Sequence, residues 1–125
     1  MNFRLTEEQD LLVDTALSIG AKFDPDYWLK MDQAASYPVD FFDSIAAHGF
    51  FSLGIDSAYG GTPGGMMELA LSMEGLCRGG AGGGPALGYL FGTLGANILN
   101  ANANDAQKSQ YLPDMASGTS MCAFG

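Results

Sequence analysis

Apolar residues recur at helical spacing along most of this chain, and the polar residues between them mark where each helix begins and ends. Thr6-Glu7-Glu8-Gln9 reads as a capping box, the threonine taking a backbone N–H and the glutamine reaching back. Leu12, Val13, Ala16, Leu17, Gly20 and Phe23 then share one helical face. Asp24-Pro25 closes that helix and opens a second, from about Pro25 to Ala35, which carries Tyr27, Trp28 and Met31. Ser36-Tyr37-Pro38 breaks the pattern. A third helix follows from Val39 to His48 with Phe42, Ile45 and Ala46 inward, and Gly49 stands where a left-handed cap is expected. After an apolar and then glycine-rich connection, a fourth helix from about Met66 to Arg78 presents Met67, Ala70, Leu71 and Met73.

The glycine cluster Gly79 to Gly84 leads into a fifth helix, with its apolar bulk at Leu87, Leu90, Phe91, Leu94, Ile98 and Leu99 and a small or polar face opposite. The spacing predicts a core helix. From Asn104 the pattern is a capped helix, a stop at Pro113 and a short turn ended by Gly118. Thr119 to Gly125 then reads as the start of a strand with no convincing partner in the chain, and unpaired backbone groups are costly wherever they are buried. The fold class is therefore all-α: a domain of five to six helices over residues 1–118. It ends, at 119–125, in the first strand of an absent β-domain.

Composition narrows the partners. The 125 residues make one domain's worth of chain, and only 15% are charged, against about 25% in a typical globular protein. With 18 glycines, this points to surfaces meant to be covered by more chain or by another subunit. A net charge of −9 with five scattered basic residues argues against nucleic acid as a partner. Cys77 and Cys122 offer neither a disulfide framework nor metal spacing, which favours a reducing compartment. The first residues lack the apolar run of a signal peptide, so a cytoplasmic location is expected. Residues 79–104 are uncharged and long enough to cross a bilayer, yet Pro85, the glycines and the asparagines favour a core helix over an integral membrane span.

Candidate chemistry is sparse. His48, the only histidine, sits at a helix C-terminus, where it complements the dipole. Glu68 and Glu74 point to different faces, and Glu74 reads as an (i, i+4) partner of Arg78. Gly79-Gly80-Ala81-Gly82-Gly83-Gly84 lacks the ending of a phosphate loop, and Tyr59-Gly60-Gly61 lacks a flanking strand, so both read as flexible turns. An apolar setting makes Cys122 inert. Gly84, Gly88, Gly92 and Gly95 form a small-residue stripe, which makes sense where another backbone or a ligand approaches closely. The residues themselves point to no catalytic group and no metal ligand.

Taken in order, several stretches resemble the amino-terminal domain of the flavin-dependent acyl-CoA dehydrogenases. They are Leu5-Thr6-Glu7-Glu8-Gln9, Pro38 with Phe41-Phe42 and Gly49-Phe50, Tyr59-Gly60-Gly61, and Glu74 with Arg78. The closing run is the most specific: Gln107-Lys108, Tyr111-Leu112-Pro113, Met115-Ala116, Gly118 and Cys122-Ala123-Phe124. Departures are a missing proline near Asp56, Ala103-Asn104 in place of a glycine, and a glycine-rich fifth helix.

The resemblance implies a parent enzyme with a helical first domain, a middle β-domain and a helical third domain. An acyl-CoA or related acyl thioester would lie between the first and third domains. FAD would be bound by the complete protein, whose third domain would supply the carboxylate base, and the fragment alone would be inactive. By the same resemblance Ala86, Leu87 and Leu90 fall where the family lines its acyl pocket, although plain core packing is an equal reading for them. Phe124 and Gly125 fall where the flavin-contacting strand begins. A homo- or hetero-oligomer and an electron-transferring flavoprotein as electron acceptor are implied as well. The competing expectation is a non-catalytic helical interaction subunit of a heteromeric flavoprotein complex.

Overall fold

Local capping chemistry sets the helix boundaries in the computed structural model, which describes residues 4–123. Helix α1 (Glu7–Gly20) starts at the expected box: the Gln9 N–H donates to Thr6 Oγ1 at 3.2 Å and the Thr6 N–H to Gln9 Oε1 at 3.1 Å. Helix α2 (Pro25–Gln33) is capped by Asp24, whose Oδ1 accepts the Tyr27 N–H at 2.8 Å. It ends two residues short of the expected Ala35. Ala35 adopts the left-handed φ of +48°, and the Ala35 and Ser36 N–H groups close back on the Asp32 and Met31 carbonyls, both at 3.0 Å. Helix α3 (Val39–Ala47) ends on His48, whose Nδ1 lies 2.7 Å from the Ser44 carbonyl, and Gly49 follows at φ +73°. Helix α4 (Met66–Leu76) passes through a π-turn at Cys77–Ala81 into α5 (Gly83–Asn102), and α6 (Asp105–Ser117) completes the set.

The principal helix contact is α1 on α4. A Cβ on Gly75 would stand 2.6 Å from the Ala16 Cβ and 2.8 Å from the Val13 carbonyl, and one on Gly79 would overlap the Leu17 carbonyl. The glycines let two backbones meet, so the first part of the 79–84 cluster is a helix contact and not a flexible turn. Helix α4 accordingly buries Leu69, Leu71, Ser72, Gly75 and Leu76, whereas Met67, expected on its working face, is 58% exposed.

A core of Phe23, Phe41, Phe42, Ile45, Phe50, Phe51, Leu76 and Tyr89 fills the space beneath. A smaller cluster of Ile55, Ala96, Leu112 and Ala116 joins α5 to α6. The connection at 50–65 is pinned and not loose. The Thr62 N–H reaches the Ser52 carbonyl at 2.9 Å, the Gly54 N–H reaches the Thr62 carbonyl at 3.0 Å, and Asn97 Nδ2 on α5 donates to the Leu53 carbonyl at 3.0 Å.

Two further expectations are corrected. Helix α5 turns Tyr89 and its small residues inward: Ala86, Tyr89, Gly92, Thr93, Gly95 and Ala96 are buried, while Leu87, Phe91 and Ile98 are 46–48% exposed. Aromatic rings from below take the space, with Phe42 against Gly88 and Phe51 against Gly92. Helix α6 does not stop at Pro113. Leu112 and Ala116, four apart, are both buried, and that packing carries the helix past an exposed proline to the left-handed Gly118. Beyond Gly118, among the described residues, no partner strand meets Thr119–Ala123. The Ser120 N–H closes a turn on the Asp114 carbonyl at 3.1 Å, and Met121–Ala123 lie along α5 without a ladder partner.

Candidate functional site

Because α5 gives its small face to the core, its concave neighbourhood becomes a groove floored by glycine. One hollow of about 410 Å³ is lined by Tyr37, Phe42, Gly88, Phe91 and the tail residues Met121, Cys122 and Ala123. A second, of about 530 Å³, runs from Trp28, Met31 and Asp32 past Ser36 and Pro38 to Gly84 and Pro85. Tyr37, Phe42 and Gly88 belong to both. The Pro38 break makes this geometry, setting Tyr37 flat on Phe42 with ring centroids 4.9 Å apart and planes within 10°. The Tyr37 hydroxyl then donates to Met121 Sδ at 3.1 Å. Burial, and then the neighbouring Asp43 carboxylate, hold the Tyr37 phenol above its ordinary pKa.

The lining of the first hollow holds no carboxylate, imidazole or cation, so its chemistry is apolar burial. Elsewhere, a hydrogen bond from Gln9, and then backbone N–H groups, lower the Glu68 carboxyl. Gln9 Nε2 donates to Glu68 Oε1 at 3.0 Å, and the Gly65 N–H donates to Oε2 at 2.9 Å, so this carboxylate caps a helix. Glu74 and Arg78 form the expected (i, i+4) pair at 3.4 Å, both well exposed. Among the described residues no group of three or more His, Cys, Asp or Glu could hold a metal ion, and no helix is long and apolar enough to cross a membrane.

The residues singled out on α5 separate. Ala86 is 1% exposed and belongs to the core face, Leu87 is 46% exposed, and Leu90 is half-buried against the main core. Leu90, four residues on from Ala86, shares its side, Leu87 lies toward the outer side, and none of the three lines either hollow. Phe124 and Gly125 lie outside the described residues. Sequence reasoning missed Tyr37, Phe91 and Met121 as groove residues. The available signal was an aromatic residue directly before a helix-breaking proline, opposite a glycine on the facing helix. The first hollow, beside the tail, does not by itself fit a flavin, because its lining has no cation for a diphosphate.

Fold and groove together define an all-helical module with one apolar face left open. A family model described as acyl-CoA dehydrogenase, N-terminal domain, matches residues 6–119. The chain belongs to that family. It is 30% identical over its whole length to the probable acyl-CoA dehydrogenase YngJ of Bacillus subtilis strain 168, of which it covers 33%. The fold superposes with a TM-score of 0.84 on a chain of the electron transferring flavoprotein structure from Acidaminococcus fermentans, at 24% identity, over 97% of this chain and 32% of that one. A structure described as PigA with FAD and proline gives a TM-score of 0.82 at 19% identity, over 95% of this chain and 31% of that one. The chain thus spans a third or less of the length of the curated relatives it matches.

Proposed function

We propose that this chain is the amino-terminal, substrate-side part of a flavin-dependent acyl-CoA dehydrogenase, an enzyme that introduces a Cα–Cβ double bond into an acyl thioester. The observation that carries the reading is the inverted α5. Its core face is built of small residues around the single large Tyr89, and its bulky apolar side chains at Leu87, Phe91 and Ile98 are turned outward. Such a row stabilises a protein when something apolar covers it, at about 25 cal/mol for each Å² removed from water.

In this reading Leu87 and Leu90 face the acyl chain while Ala86 backs them from the core. Phe124 and Gly125 begin the segment that touches the flavin. FAD would be held by the complete protein, where it would supply the hydride acceptor. The α-proton goes to a base outside this chain, and the chain alone is inactive. Residues 1–118 form the helical domain and 119–125 begin a β-domain. The complete protein is a cytoplasmic oligomer that passes electrons to an electron-transferring flavoprotein.

The test is to purify the protein from its full gene and add acyl-CoA thioesters of several chain types. A yellow protein whose flavin absorbance bleaches on addition of one of them is the expected result. Colourless protein that leaves every thioester unchanged would sink the reading. The same open face also suits a non-catalytic interaction subunit. That alternative requires co-purification with a second flavoprotein and turnover only in the mixture.

A further inference from the structure

One aromatic ring bears directly on the backbone of α5. A Cβ on Gly88 would stand 2.9 Å from Phe42 Cζ, too short for a real side chain, so the ring meets the helix with nothing between them. That ring is held on two sides. Tyr37 stacks on it with centroids 4.9 Å apart, and Phe41 meets it edge-on at 5.2 Å with planes 78° apart. Phe41 is fully buried and is itself met edge-on by Phe23 at 5.4 Å and by Trp28 at 5.1 Å. Through this chain of rings the position of α2 and α3 reaches α5. One residue further on, the Tyr89 hydroxyl ties the helix to the Phe50 carbonyl at 3.2 Å. At this point α5 is propped by a ring and held by a hydrogen bond.

We propose, resting on the acyl-CoA dehydrogenase reading, that Phe42 and Gly88 are positioning residues that set the width of the acyl site. The ring is a spacer that fixes how far α5 carries Leu87 and Leu90 toward the acyl chain. Leu87 immediately precedes the supported glycine, and Leu90, two residues beyond it, lies across the helix from the ring. Phe42 and Gly88 touch no substrate in this arrangement and act through the helix. A spacer lengthened by a methyl group moves α5 toward the acyl chain and narrows the site. A shortened one lets the helix settle back and widens it. Close packing passes such a displacement on, because there is little empty space to absorb it.

The test uses the complete flavin-loaded protein from the full gene, with acyl-CoA thioesters graded from straight-chain to branched and aryl. The readout is the ratio of kcat/KM between the bulkiest and the slimmest acyl group that the unaltered enzyme turns over. Gly88→Ala, which adds a methyl group against the ring, should lower that ratio about 10-fold, chiefly through KM. Alanine is the better helix former, so such a loss does not come from a weakened α5. Phe42→Leu, which shortens the spacer, should raise the ratio about 10-fold, and the double variant should return it to within about 2-fold of the unaltered value. Gly84→Ala, one turn earlier, where an added Cβ meets nothing within 4 Å, should leave it unchanged. Lost stability alone lowers turnover of every thioester and does not move the ratio in opposite directions. If Gly88→Ala does not fold, Phe42→Leu decides: a raised ratio supports the spacer and an unchanged or lowered one rejects it. An unaltered enzyme inactive on every thioester refutes the acyl-CoA dehydrogenase reading itself. An active enzyme whose two single variants keep the ratio, or shift it the same way, overturns the spacer and leaves that reading in place.

Discussion

Helices α4 and α5 both turn glycine inward, yet they use it for opposite ends. On α4 and the π-turn that continues it, Gly75 and Gly79 bring one backbone against another, so that α1 and α4 close a contact with both sides occupied. On α5, Gly88, Gly92 and Gly95 receive the tips of side chains from Phe42, Phe51, Met121 and Cys122. The first contact is finished within the chain. The second leaves the bulky side of its helix facing outward, with Leu87, Phe91 and Ile98 about half exposed. A glycine met by backbone is a fixed requirement of the fold, whereas a glycine met by a flexible side chain is a seat that can be vacated.

The largest expected effect breaks the closed side. Gly75→Val puts its branches into the Ala16 Cβ and the Val13 carbonyl, atoms that cannot rotate away. We expect a loss of about 3 kcal/mol or more, read as the shift of a urea midpoint, despite the greater backbone stiffness of a residue with a side chain. A loss under about 1 kcal/mol would mean that α1 slides freely on α4.

Tyr89 ties the two regions together and gives the next effect. Its hydroxyl, on the inner face of α5, donates to the Phe50 carbonyl at 3.2 Å and lies 3.0 Å from Ser72 Oγ on α4. Burial pushes its phenol up to about 12. The neutral form is the one the fold holds, so this contribution is complete below the ordinary value near 10 and disappears as pH rises through about 12. A rise of that size is worth roughly 3 kcal/mol. Stability should therefore fall between pH 10 and 12. In Tyr89→Phe that fall should shrink, and neutral-pH stability should drop by about 1–3 kcal/mol through the partners left unmet. An alkaline limb unchanged in the variant would assign the effect to another group.

How much of this could be read from the chain depends on whether the signal is local. Thr6 with Gln9, Asp24 with Pro25, His48 and the Glu74–Arg78 pair all act within four or five residues, and each stands where its neighbours place it. The orientation of α5 is not local. Periodicity groups Leu87, Phe91, Leu94 and Ile98 on one side, but which side faces the core depends on what already fills it. Here Phe42 and Phe51 do, and they come from segments some forty residues earlier. The groove has the same origin, because Tyr37, Gly88 and Met121 converge only through tertiary packing. Pro113 misleads for a similar reason: the burial of Leu112 and Ala116 outweighs the local preference to stop.

A smaller effect comes from a position where glycine is missing. Ala35 occupies a left-handed cap at φ +48°, a conformation that glycine adopts without the Cβ clash. Ala35→Gly relieves that strain but loosens the unfolded chain. Relief of the strain outweighs the loosening, so we expect a gain of about 0.5–1 kcal/mol. Destabilisation would show that the Ala35 methyl contributes more to the wall of the second hollow than its backbone costs.

The smallest effect is the one that tests the open side. Leu87→Ser and Phe91→Ser remove apolar surface that already meets water over nearly half its extent, so each should alter the stability of the 125-residue chain by no more than about 0.5 kcal/mol. If a longer protein covers this face, the same substitutions there should each cost about 1.5–3 kcal/mol, the worth of burying such a side chain fully. The excess would appear as lost stability where protein covers the position, and as a lower kcat/KM for acyl thioesters where substrate does. The comparison is therefore between the two contexts and not between the two residues. Leu87, placed beside the acyl chain, should weigh on kcat/KM, and Phe91, at the wall of the groove, on stability. Equal and small effects in both contexts would show that the outer side of α5 faces solvent in the whole protein, and the inverted helix would then lose the role assigned to it.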